Sequence, residues 1–162
     1  MIPQTLIEST AKVLTEKNLS IATAESCTGG LLGHVLTSIS GSSSYYDRGI
    51  ISYTNQAKHE LLDVPNNLLE MYGAVSEQVA QAMAEGIRKN AGADLGVSTT
   101  GIAGPTGGTK EKPVGLVYIG VSTKEKTIVK RFVFDGSRLE NKDSTCIEAL
   151  TLVEHVITEQ GL

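Results

Sequence analysis

The sequence predicts an α/β fold, a three-layer α/β/α sandwich around a mixed sheet. Three observations carry this. Segments with apolar residues at helical spacing alternate with short apolar runs through the first hundred residues, as in β–α–β units. Two strand-like runs then follow one another with only Thr123-Lys124-Glu125-Lys126 between them, which calls for an antiparallel pair. The 162 residues fit one domain with a full-sized core, and no linker, repeat or low-complexity tract divides them. Residues 1–162 are therefore expected to form a single domain.

Pro3 suits the first position of a helix, and Leu6, Ile7, Ala11, Val13 and Leu14 make a 3.6-residue stripe over 3–17, with Asn18 closing it. Residues 21–24 read as a short buried strand. Residues 29–38 read as a second helix, with Leu31, Leu32, Val35, Leu36 and Ile39 facing inward. Gly41-Ser42-Ser43-Ser44 is a turn, 50–53 a second strand, and 55–62 a short helix ended by Val64-Pro65. Ser76 is a good N-cap for the cleanest stripe in the chain, Val79, Ala80, Met83, Ala84 and Ile87, which Gly92 closes. A strand over 95–99 leads into a Gly/Pro/Thr loop over 101–113. A hairpin of 114–122 and 127–134 follows, then a last helix over 139–158 carrying Ile147, Leu150, Val153 and Ile157. With no Trp and two Phe, the core has to be aliphatic.

Composition narrows the function. A net charge of −4 argues against a nucleic-acid partner, which calls for a basic face. The apolar runs are far short of a membrane span, and Met-Ile-Pro-Gln-Thr shows no basic leader, so neither a membrane nor a signal peptide is expected. Cys27 and Cys146 are too few for a disulfide framework and have no metal-ligand spacing. A reducing cytoplasm is the simplest location, and no metal is expected.

Three stretches carry polar chemistry. Residues 24–30 read Ala-Glu-Ser-Cys-Thr-Gly-Gly at a strand-to-helix turn. Unpaired amides at such a turn can cradle a phosphate or an oxyanion, and Ser26 or Cys27 can serve as nucleophile. The same residues also suit an ordinary capped helix. The turn lacks the Gly-x-Ser-x-Gly pattern of α/β-hydrolases, and none of His34, His59 or His155 is placed by sequence logic as a triad base. A lysine is the better base. Tyr53-Thr54-Asn55-Gln56-Ala57-Lys58 would bring Tyr53 and Lys58 to the carboxyl edge of the sheet, and a partly buried amine has its pKa lowered toward that of a base. A solvated helix lysine is the plainer alternative. The third stretch, Thr99 to Thr109, has four glycines in eight residues (Gly101, Gly104, Gly107 and Gly108). It is neither a Walker loop nor a dinucleotide fingerprint, and it suits a phosphate or substrate loop. Ser42 belongs to a hydroxyl-rich turn expected on the same rim, and Arg138 offers a bidentate grip on an anion.

In this order, the blocks Ala24–Gly30, Gly41-Ser42-Ser43, Tyr53–Lys58, Gly73-Ala74-Val75-Ser76-Glu77, Thr100–Gly108 and Lys112-Pro113-Val114-Gly115 resemble the CinA C-terminal domain family, the nicotinamide-nucleotide amidohydrolases. The resemblance is dense over about residues 20–120. It implies hydrolysis of the carboxamide of nicotinamide mononucleotide to nicotinate mononucleotide and ammonia, without metal or organic cofactor, by a homo-oligomer. Members occur alone or behind a molybdopterin-binding-like domain, for which 162 residues leave no room. Carried over, Ser26 is the nucleophile and Lys58 its base, with Tyr53 and Thr100 at conspicuous motif positions. The substrate would lie against Thr28, Gly29, Gly30, Ser42, Gly101, Gly104, Gly107, Gly108 and Arg138. The family's Gly-Asp-Arg, with a second Arg four residues on, is replaced here by Gly136-Ser137-Arg138 and Lys142. Lysine keeps the charge but loses the planar fork. That departure leaves a non-catalytic nucleotide-binding or regulatory module as the alternative.

Overall fold

A computed structural model describes residues 1–162. Its elements run α1 (Gln4–Glu16), β1 (Ile21–Glu25), α2 (Leu31–Leu36), a 3-10 turn (Ser42–Ser44), β2 (Tyr46–Ile51), α3 (Asn55–Leu62), α4 (Asn66–Tyr72), α5 (Glu77–Ala91), β3 (Leu95–Gly101), β4 (Leu116–Ser122), β5 (Thr127–Val133) and α6 (Arg138–Glu159). The five strands form one sheet in the order β2-β1-β3-β4-β5. β1 is parallel to β2 and β3, while β3–β4 and β4–β5 are antiparallel, so the sheet is mixed. No helix is long and apolar enough to cross a membrane.

Strand alternation decides which face each helix takes. Ile21, Leu95, Val97, Val117, Ile119 and Val121 point to one face and pack with α1, α2 and α6. The other face carries small residues. Ala22 and Ala24 pack there with Val79, Met83 and Ile87 of α5 and with Leu62 and Leu69 of α3 and α4. On this face Ser98 Oγ donates to Ala80 O (2.6 Å), and a Cβ on Gly120 would stand 2.9 Å from the same carbonyl. Small strand residues let the α5 backbone lie close on the sheet, and its own large side chains fill the volume.

Most boundaries follow the expected signals. Ser76 Oγ accepts from Val79 N, Gly92 ends α5 at φ +63°, and Asn18 has φ +53° beyond α1. Ser137 and Glu140 form a full capping box on α6. Three elements differ most from the sequence expectation, beside two-residue shifts at the end of β3 (Gly101 rather than 99) and the start of β4 (Leu116 rather than 114). β2 lies at Tyr46–Ile51 rather than 50–53, because an exposed edge strand with Asp47 and Arg48 lacks an apolar pattern. α2 is shorter than 29–38. Gly29 (φ +59°) and Gly30 (φ +104°) are not helical, and Thr37 and Ser38 turn their hydroxyls back onto Gly33 O and Val35 O. α4 was not expected, having Leu69 as its one buried residue.

Candidate active site

Three parallel strands end at the same edge, and the candidate site is built there. Ser26 directly follows β1. Its N–H continues the sheet by donating to Thr99 O (3.0 Å), and its carbonyl accepts from Gly29 N (3.2 Å). Both backbone groups are therefore tied, and the hydroxyl side chain, 7% exposed, is the part left to act.

Lys58 comes from α3. Thr54 Oγ1 caps that helix through Ala57 N (3.0 Å), which fixes the first turn and sends Lys58 back under the β2 end. The residue is 1% exposed. Its Nζ donates to Ser26 Oγ (3.0 Å), Ser52 O (2.9 Å) and Tyr53 O (3.2 Å). No carboxylate lies within ion-pair distance of it. Burial therefore lowers its pKa from the ordinary 10.5 to about 8. In the neutral amine, the two carbonyls hold two N–H groups and leave the lone pair facing the Ser26 hydroxyl. The structure thus joins the serine and lysine that the sequence placed in separate segments.

Cys27 is adjacent but chemically different. Burial pushes its thiol up to about 12, so it stays protonated at neutral pH and is a poor nucleophile.

Ser26, Lys58 and Tyr53 line a cavity of about 240 Å³ with Thr100, Gly101, Gly104, Gly107 and Arg138. Arg138 spans its mouth, with Nη1 donating to Gly104 O (2.8 Å) and Nη2 to Tyr53 Oη (3.0 Å). The Thr100 hydroxyl is committed to Ala74 O (2.8 Å), so that side chain ties the 73–76 segment to β3.

Five expected residues fall outside the cavity lining. The Thr28 hydroxyl is buried between Glu25 and Thr99 (2.8 Å to Thr99 Oγ1). Gly29 and Gly30 do not form an open cradle. Gly29 N is spent on Ser26 O, and Gly30 N donates to Glu25 Oε1 (3.2 Å). The amides of Cys27 and Thr28, by contrast, donate to no backbone carbonyl. Gly108 packs against Val114, with room for no side chain on that side. Ser42 precedes β2, whose Tyr46 pairs with Ile21 at the start of β1, so it lies at the opposite edge of the sheet from Ser26. None of the three histidines lines the cavity.

Sequence reasoning missed two side chains that shape this site. Asn141, 1% exposed, donates to Ala103 O (2.9 Å) and accepts from Gly136 N (3.0 Å), pinning the glycine loop to α6. A polar residue on the inward stripe of a helix, four before buried Thr145, was its only signal. Glu25 is the other, and its carboxylate is 2% exposed.

An α/β/α domain with a buried serine–lysine pair at the carboxyl ends of parallel strands is the class that fold and site define. The chain belongs to the CinA C-terminal domain family, whose family model matches residues 3–157. It is 50% identical over 150 residues to a putative competence-damage inducible protein of Thermoanaerobacter pseudethanolicus (93% of this chain, 36% of that protein). A protein of the same description from Clostridium botulinum is 51% identical over 145 residues (90% of this chain, 36% of that protein). The chain thus spans little more than a third of the length of these curated relatives. Among solved structures, a competence/damage inducible protein of Agrobacterium tumefaciens is similar at TM-score 0.92 with 38% identity, covering 96% of this chain and 98% of that one. A CinA superfamily protein of Klebsiella pneumoniae also reaches 0.92, at 30% identity (96% and 97% covered).

Proposed function

We propose that this chain hydrolyses the carboxamide of nicotinamide mononucleotide by acyl-enzyme chemistry. The observation that carries the reading is the 3.0 Å contact between Lys58 Nζ and Ser26 Oγ inside a cavity, with an amine whose pKa is held near 8. The activity that the family resemblance implies supplies the substrate.

Ser26 Oγ attacks the amide carbon while its proton passes to Lys58 Nζ. The Cys27 amide, which donates to no carbonyl and belongs to a residue lining the cavity, is the donor available to the developing oxyanion; losing such a donor typically costs roughly 10²–10³ in turnover. Lys58 returns the proton to the departing nitrogen, the C–N bond breaks, and ammonia leaves. Water then adds to the ester with its proton going to Lys58, the acyl C–O bond breaks, and Ser26 recovers its proton. No step requires a cofactor. The nucleotide phosphate would lie toward the glycine loop and Arg138, at the outer end of the cavity. Tyr53, hydrogen-bonded to Arg138, borders that end.

The cytoplasm supplies such a nucleotide, and we expect the protein to act there as a homo-oligomer, for which the open edges of β2 and β5 offer surface. Ser137 and Lys142, where the family carries Asp and Arg, favour a second reading, a nucleotide-binding module without turnover. Incubation with nicotinamide mononucleotide separates the two. Stoichiometric ammonia from the wild type and none from a folded Ser26→Ala variant support hydrolysis, whereas saturable binding without ammonia supports the module.

A further inference from the structure

We propose that Glu25 is a positioning residue for Ser26, a carboxylate placed inside the turn to hold the nucleophile toward Lys58. This inference rests on the nucleophile reading of Ser26 but not on the identity of the amide.

The Glu25 carboxylate is 2% exposed and has no cation within ion-pair distance. A buried charge is costly unless hydrogen bonds replace its water. Here they all come from the next eight residues. Oε1 accepts from Thr28 Oγ1 (2.5 Å), Leu32 N (2.9 Å) and Gly30 N (3.2 Å), and Oε2 accepts from Gly33 N (2.9 Å). Glu25 thereby ties the last residue of β1 to the first turn of α2, closing a loop that contains Ser26, Cys27, Thr28 and Gly29. Gly33 keeps the space open, since a Cβ there would stand 2.7 Å from Tyr46 Oη and 3.4 Å from Glu25 Oε2.

Two consequences follow for the site. The donors taken by Glu25 are unavailable to a ligand, which leaves the Cys27 amide as the donor of the turn that belongs to the cavity lining. The turn also cannot relax without breaking several charge-assisted bonds at once, so the Ser26 Oγ to Lys58 Nζ approach is preset. A neutral cap of the same shape would keep the chain folded. It would place an NH₂ against amide donors and loosen that approach.

Glu25→Gln tests this, with Thr28→Val as a second variant that removes a donor but leaves the carboxylate. The primary readout is the burst of p-nitrophenolate as p-nitrophenyl acetate acylates Ser26, with Ser26→Ala as blank. Near-UV circular dichroism monitors packing. Both variants are expected to keep the native spectrum and acylate about tenfold or more slowly than wild type. With nicotinamide mononucleotide, kcat should fall similarly while KM stays within about threefold, since cavity walls and Arg138 are untouched. Acylation of Glu25→Gln at the wild-type rate overturns the proposal. So does a loss that accompanies a collapsed spectrum in both variants, or one confined to KM. Wild type that is acylated yet releases no ammonia from the nucleotide refutes the proposed substrate and leaves Glu25 to be judged on acylation alone. If no chain is acylated, Ser26 is not the nucleophile and the positioning role falls with it.

Discussion

Lys58 Nζ touches three oxygens, and only two of them are carbonyls that must be given protons. The third is the Ser26 hydroxyl, so the amine can act as base only when neutral. With the pKa at about 8, kcat/KM is expected to rise with pH through that value and level off above it, as measured on initial rates across pH 6–10. A flat profile contradicts the assignment. Stability has a matching sign. The folded-state pKa lies below the ordinary 10.5, so holding the protonated form costs about 3 kcal/mol below pH 8, and that penalty is relieved as pH rises toward 10.5. Wild type should therefore gain stability relative to Lys58→Met between pH 8 and 10 in urea unfolding. A gain on acidification instead would have the wrong sign. The neighbouring thiol at about 12 gives a further expectation: Cys27→Ala keeps its acylation burst, and a lost burst would reinstate Cys27 as nucleophile.

At the scale of elements, α5 shows how sequence and packing agree. Its stripe, its Ser76 cap and its Gly92 stop are all local signals, and each is realised. What the stripe does not reveal is how closely the helix sits on the sheet. Gly96 of β3 faces Ala84 O, and an added Cβ would also stand 2.7 Å from Arg88 Cβ. Gly96→Ala is thus expected to destabilise by about 1–3 kcal/mol through overpacking, read as a lower unfolding midpoint at unchanged m-value. A neutral effect would mean that α5 moves freely. The same division explains what was legible of the site. Lys58 was recognisable because Tyr53–Lys58 runs from the second strand into a helix, and Ser26 because paired glycines follow it. Glu25 was not, since its role depends on one carboxylate folding back on amides up to eight residues away. Ser42 was misplaced because a hydroxyl-rich turn looks alike at either edge of a sheet. β2 was misplaced because an exposed edge strand needs no apolar pattern, and its signal came only from Ile50 and Ile51.

Across the whole molecule, the topology does most to assemble the candidate site. β1, β2 and β3 run parallel, so the segments after them, Ser26 to Gly30, Ser52 to Lys58 and Ile102 to Gly107, gather at one edge, where open α/β sheets collect ligands. The long connection to β4 and the start of α6 at Arg138 complete the rim from the other half of the chain. The measurement closest to the central claim is mass spectrometry of the Ser26 peptide after acid quench during turnover of nicotinamide mononucleotide. A nicotinoyl ribonucleotide ester on Ser26, absent in Ser26→Ala and sharply reduced in Lys58→Met, is the result expected. Turnover with Ser26 unmodified, or with the adduct on Cys27, would contradict it.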